Sequence, residues 1–308
     1  MAYVDASTYY KDPSPLSKWY DKKYWGIEYN ALPLRGKIIY PEEKGLYPVI
    51  IVVHGNHLAE DLSHNGYDYL LKALAHNGYI AISVGAKLIL AQIKLAVAWN
   101  NNTSSPLYNM IDTEKIGLIG HSRGGEAVSI AAKIGGHELN IKGIVALAPT
   151  YGQYPKYIEL VNISYIALHG TNDGDLKSFY GRKQYDRTFF TNDNFNIKAS
   201  YYINGANHSN FNSDWGKIDA TSIGKIYYGT NYLIKPLDQQ EIAKELSLAF
   251  FDTILKGKNR SLNLKKPTTI PTFPELSLEI KYFDSSGENI KITPDLSRKI
   301  YKNRLLGL

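Results

Sequence analysis

Short apolar runs alternate with helix-length amphipathic stretches along most of this chain, and that alternation constrains its fold more than any other feature. "YPVIIVV" (Tyr47 to Val53) is apolar throughout, the pattern of a strand covered on both faces. "YDYLLKALAHNG" (Tyr67 to Gly78) has helical spacing and stops at Asn77-Gly78. "GKIIY" (from Gly36), "YIAISV" (from Tyr79), "KIGLIGH" (from Lys115), "IKGIVALAP" (from Ile141), "ISYIALHG" (from Ile163) and "KASYYING" (from Lys198) read as further strands. Between and after them, Ala86–Trp99, Arg123–Gly136 and Asp238–Gly257 read as helices. Such alternation predicts βαβ units, and so an α/β fold with a mostly parallel central sheet and helices on both faces.

The pattern changes after Gly257. "KPTTIPTFPE" (Lys266 to Glu275) is proline-rich and extended, and Leu276–Ile292 reads as two strands around a Ser-Gly turn. The expected organisation is an N-terminal extension (residues 1–34), a main domain (35–257) and a small C-terminal β-hairpin appendage (258–308). That appendage is too short to hold a core of its own.

Composition excludes several classes of function. The chain has no cysteine, so disulfides, thiolate catalysis and cysteine-ligated zinc are ruled out. A net charge of +6 with only 21% charged residues is a mild excess. It reads as solvated surface with weak attraction to anionic surfaces, not as a nucleic-acid footprint. No apolar run approaches the roughly 20 residues of a bilayer span. The N-terminus lacks the apolar core of a signal peptide, so either the chain is cytosolic or a signal has been removed.

One corner carries chemistry. Gly120-His121-Ser122-Arg123-Gly124 is a G-x-S-x-G motif between a predicted strand and a predicted helix. So tight a turn needs glycine at both flanks, strains the serine backbone and projects its hydroxyl from the top of the sheet. The N–H of Arg123, at the helix N-terminus, is then placed to stabilise a developing oxyanion.

A serine hydroxyl is a poor nucleophile without a base, and the base needs an acid to orient it. Downstream histidines are His137, just after a helix end, His169, at the end of an apolar strand, and His208. His208 lies in the polar loop "NGANHSNFNSDW" directly after a strand and is the expected base. The expected acid is Asp173, just past the strand ending at Gly170, with Asp175 as the alternative. A second oxyanion donor is expected from "HGNH" after the strand ending at Val53: the N–H of Asn56, with His57 second. The histidines His54, His57 and His64 lack metalloprotease spacing, so no metal is assigned, and no cofactor is required.

Four pieces, "VVHGNH", "GLIGHSRGG", "LHGTNDGD" and "GANHSNFN", together resemble the α/β-hydrolase superfamily over roughly Arg35–Gly257. The likeness is to bacterial members near the dienelactone hydrolases, chlorophyllases and cutinase-like polyester hydrolases. It implies an α/β-hydrolase fold with Ser122 as nucleophile, Asp173 as acid, His208 as base, and Arg123 and Asn56 as oxyanion donors. Two departures stand out: the segment after Val84 is short, and no sizeable lid separates Ser122 from Asp173. The tyrosine-rich Thr150–Asn162 either walls the substrate pocket, with Tyr151 in it, or forms a packed crossover helix. Trp215 either packs beside the site or serves the core, and Arg123 either pairs with Glu126 three residues on or binds a substrate carboxylate.

The expected activity is cleavage of carboxylic esters, small or polymeric, through an acyl-enzyme on Ser122. The same triad would serve an amidase, peptidase or acyltransferase, and a catalytically silent hydrolase scaffold used for binding is the third possibility. The resemblance favours secretion over the cytoplasm. Asn-x-Ser/Thr sequons, one at Asn207 beside His208, argue against a eukaryotic secretory route.

Overall fold

The structure, a computed structural model, describes residues 2–5, 8–9, 33–34, 36–55, 62–84, 89–153, 157–176, 179–191, 195–216, 219, 233–258 and 278–284. Among these residues nine strands join in one sheet: β1 (Ala2–Asp5), β2 (Gly36–Tyr40), β3 (Tyr47–Val53), β4 (Ile80–Val84), β5 (Ile111–His121), β6 (Ile141–Leu147), β7 (Ser164–Gly170), β8 (Ile197–Ile203) and β9 (Leu278–Asp284). Their spatial order is β1-β2-β4-β3-β5-β6-β7-β8-β9. The run from β4 to β8 is parallel, and β1, β2 and β9 add antiparallel edges. The strand expected near Leu276 is thus β9, paired along its length with β8. The rest of the expected C-terminal hairpin lies outside the described residues.

Among the described residues five α-helices accompany the sheet: α1 (Asp68–His76), α2 (Ile89–Asn101), α3 (Arg123–Gly135), α4 (Gly181–Asp186) and α5 (Pro236–Lys256). Alternation in the central strands explains why both faces are covered. On β3, Ile50 and Val52 pack with α1 and α5, through Leu70, Leu74, Ile242, Phe250 and Phe251. Val49, Ile51 and Val53 point the other way, with Ile93 of α2 and Val128 and Ala132 of α3. All five of these strand residues are completely buried, which is why the segment needs no polar alternate. Helix ends follow local chemistry: α5 opens on Pro236 and closes on left-handed Gly257, and Gly78 supplies the positive φ after α1.

The strand order positions a site. From β3 the chain steps outward to β4, then returns across β3 to β5. The carboxyl ends of β3 and β5 therefore flank a topological switch point, where open α/β sheets form clefts.

The crossover-helix reading of Thr150–Asn162 is overturned. Its described residues form bends at Tyr151–Gln153 and a two-residue strand, Leu160–Val161, paired with Thr188–Phe189. The buried Glu126 carboxylate explains the bend, accepting hydrogen bonds from Thr150 Oγ1 and the N–H groups of Gly152 and Gln153. Those N–H groups are thereby unavailable to a helix. The segment after Val84 and the residues following Gly55 lie outside the described residues. Among the described residues no helix is long and apolar enough to cross a membrane.

Candidate active site

Ser122 stands between the last residue of β5 and the first of α3, with φ 57° and ψ −123°. A non-glycine residue there stores strain, of order 1–3 kcal/mol, that the surroundings must hold. They hold it by hydrogen bonds: Ser122 N–H donates to the Leu147 carbonyl at 2.9 Å, and its carbonyl accepts the N–H of Gly125 (2.9 Å) and of Thr150 (3.1 Å). Both motif glycines are required by space. A Cβ on Gly120 would lie 2.3 Å from the Gly124 carbonyl oxygen, and one on Gly124 would lie 2.4 Å from the Val53 carbonyl oxygen.

Gly55, just beyond β3, brings that loop against the serine: a Cβ there would stand 2.8 Å from Ser122 Cβ and 2.7 Å from the Trp215 ring. Asn56 and His57, the expected oxyanion donor and its alternative, follow directly and lie outside the described residues. Arg123 is the first residue of α3, a position whose N–H has no intrahelical acceptor. Its guanidinium donates to Gln153 Oε1 at 3.1 Å.

Asp173 and His208 meet. His208 Nδ1 donates to Asp173 Oδ2 at 2.9 Å, and both side chains are buried. The other Asp173 oxygen accepts the N–H groups of Asp175 (3.0 Å) and Leu176 (2.8 Å), so Asp173, not Asp175, holds the imidazole. Burial alone would depress the His208 pKa. The charge and hydrogen bond of Asp173, with the charges of Asp175 and Asp219, outweigh it and hold the pKa above the ordinary histidine value. The sign for stability follows. A raised folded-state pKa means that the pair stabilises the fold fully below the unfolded value of about 6.5, and that this contribution is lost as pH rises through the raised value. Among the described residues no hydrogen bond joins Ser122 Oγ to His208.

His121, the residue before the serine, is completely buried and links three parts of the site. Its Nε2 lies 3.1 Å from the His208 carbonyl, which can only accept, so Nε2 carries the proton. Nδ1 is then an acceptor, taking the Tyr67 hydroxyl proton at 2.8 Å. Trp215 stacks on His121 with ring centroids 4.6 Å apart and lies nearly parallel to His208 at 6.4 Å. Trp215 thus packs beside the site. Tyr151 sits half-buried one residue past Thr150, its hydroxyl accepting a hydrogen bond from Arg187 and its ring facing Lys183 Nζ at 4.7 Å.

His169, one of the rejected bases, is buried with its Nε2 unpartnered and its ring stacked on Tyr202. Burial pushes its pKa down to about 4 despite the nearby Asp173 charge. It is neutral in the fold and costs stability as pH falls from about 6.5 towards that value.

Sequence reasoning missed two residues. The buried Asp219 carboxylate accepts N–H groups from Gly174 (2.6 Å), His208 (3.1 Å) and Ser209 (2.8 Å). Tyr67 read only as the start of an amphipathic helix. Neither bears a local signal, because the partners of each lie far off in sequence.

A central parallel sheet between two helical layers, a serine in a strained strand-to-helix corner and a carboxylate–histidine pair on later loops decide the architecture. The chain has the α/β-hydrolase fold. The chlorophyllase family matches residues 27–160. Among curated proteins, the chain is similar to chlorophyllase type 0 of Chenopodium album, at 27% identity. That match covers 38% of this chain and 38% of the relative's length. Within this α/β-hydrolase fold the family match takes in Gly55 and Ser122 and ends before Asp173 and His208.

Proposed function

We propose that this α/β-hydrolase-fold chain is a serine hydrolase that cleaves carboxylic esters, with residues 35–257 as its catalytic unit. The observation that carries the reading is the elbow. Ser122 is held at φ 57° by main-chain hydrogen bonds, with Gly120 and Gly124 leaving room for the turn, at the switch point of the sheet, where a structural turn would need no serine at all. The partial likeness to chlorophyllases supports ester chemistry as the first class to test.

In this reading Ser122 Oγ attacks the acyl carbon while neutral His208 takes the hydroxyl proton on Nε2. Nδ1–H remains bonded to Asp173, whose charge stabilises the imidazolium that forms. The oxyanion is met by the N–H of Arg123 and that of Asn56. His208 then returns its proton to the departing alcohol, and water, activated by the same base, releases the acid. Trp215 and Tyr151 flank the cleft, with His57 as a further substrate contact.

The test is hydrolysis of p-nitrophenyl esters from acetate to palmitate, with matched anilides alongside. Turnover of esters with a chain-length optimum supports the reading, and turnover of anilides at equal efficiency moves it to an amidase. A silent scaffold has one observation in its favour, the missing Ser122–His208 hydrogen bond among the described residues. Such links are often loose without substrate. No turnover on either series, with no labelling of Ser122 by a fluorophosphonate, would establish that rival.

Two further outcomes are expected. kcat/KM rises with pH through an ionisation above the usual histidine value, because His208 must lose its proton to act as base. Asp173→Asn lowers kcat by roughly 10⁴-fold, since the amide favours the wrong imidazole tautomer. pH–rate profiles of the two proteins check both.

A further inference from the structure

Two carboxylates, not one, hold the base. Asp173 bonds the imidazole of His208, and Asp219 bonds its main chain. Among the described residues, all three hydrogen bonds that Asp219 accepts come from backbone N–H groups: those of Gly174, next to the acid, and of His208 and Ser209. One Asp219 oxygen, Oδ2, receives the Gly174 and His208 N–H groups together, at 2.6 and 3.1 Å, so a single atom bridges the acid loop and the base loop.

The arrangement is costly for structure alone. Asp219 is 5% exposed, and no cation pairs with it among the described residues. Burial first, then the charge of Asp173, raise its pKa, while the three N–H bonds pull it back. A neutral acceptor would satisfy one or two N–H groups without placing a second carboxylate beside the first. A carboxylate alone offers two oxygens that accept from both loops and donate to neither.

We propose that Asp219 is a positioning residue that clamps the Asp173 loop to the His208 loop and fixes the distance between acid and base. This inference rests on the triad reading above. Asp219 touches neither substrate nor reacting atoms; it acts through the main chain of its two neighbours. The groups facing His208 are Asp173, Asp175 and Asp219 by charge, with the rings of His121 and Trp215 packed against it.

The test compares Asp219→Asn and Asp219→Ala with wild type. Asp219→Asn leaves one acceptor oxygen for three backbone N–H donors and sets an NH2 group against at least one of them. kcat is expected to fall roughly 10- to 100-fold with KM little changed, as for an ångström-scale misplacement of a catalytic group. The acid limb of the pH–rate profile should move to lower pH as a negative charge beside His208 disappears. The low-field NMR resonance of the His208 Nδ1 proton should weaken or move upfield. Wild-type kcat with an unmoved limb, or a loss of kcat fully matched by loss of folded protein, would overturn the proposal. Ser122→Ala is run alongside. If it leaves hydrolysis intact the triad reading falls, and the Nδ1 resonance then decides the clamp alone: lost in Asp219→Asn the clamp stands, unchanged it fails.

Discussion

Ser122→Ala is expected to lower kcat/KM for p-nitrophenyl esters by roughly 10⁴- to 10⁶-fold, with no fall in melting temperature. The two halves of this expectation have separate causes. On the proposed mechanism activity falls because Oγ, the only heavy atom removed, is the one that would form the acyl-enzyme. Stability is kept because the strain at φ 57° concerns the backbone and Cβ, which alanine shares. The three hydrogen bonds that hold the corner all use the Ser122 main chain, and among the described residues Oγ makes none. A variant that lost activity and unfolded together would contradict this description of the corner.

Gly120→Ala is expected to damage the fold itself. The added methyl would stand 2.3 Å from the Gly124 carbonyl oxygen and 2.7 Å from the Gly125 nitrogen, both main-chain atoms of the first turn of α3. No rotamer change relieves a contact with backbone, so either α3 lifts from β5 or the corner opens. Overpacking of this kind costs about 3 kcal/mol, or roughly 6–12 °C in Tm, at the upper end of the usual range. On the proposed function, ester turnover should fall further than folded protein does, because a shift of the corner also moves Ser122 away from Gly55 and Trp215. Thermal melts and turnover on the same preparation check this. Unchanged Tm with unchanged kcat would show that the corner is looser than the distances require.

Much of the fold was legible because its signals are local. β3 could be read from seven consecutive apolar residues, since burial on both faces removes the need for polar alternates. α3 and the strand before it could be read from the glycines that the corner demands, and the N-terminus of α5 came out two residues earlier than expected because Pro236 serves as its first turn. Asp173 and His208 were legible as polar residues just past strand ends, and the structure brings them within 2.9 Å. Long-range partners were not legible. Asp219 bonds Gly174 across 45 residues and His208 across 11, through main-chain N–H groups that every residue but proline possesses. Tyr67 reaches His121 across 54 residues. The bend at Tyr151–Gln153 depends on Glu126, a residue whose spacing pointed only to Arg123. Asn56 and His57 lie outside the described residues, so their roles rest on the sequence motif and the proposal built on it.

The central claim, that Ser122 is a nucleophile activated by the fold, is tested most directly by covalent labelling. Native protein, heat-unfolded protein and Ser122→Ala would each be incubated with a fluorophosphonate and read by intact mass and peptide mapping. A single adduct on the peptide holding Ser122, present only in the native wild type, is the predicted result. Ester turnover with the adduct on another residue, or with no adduct at all, would contradict it.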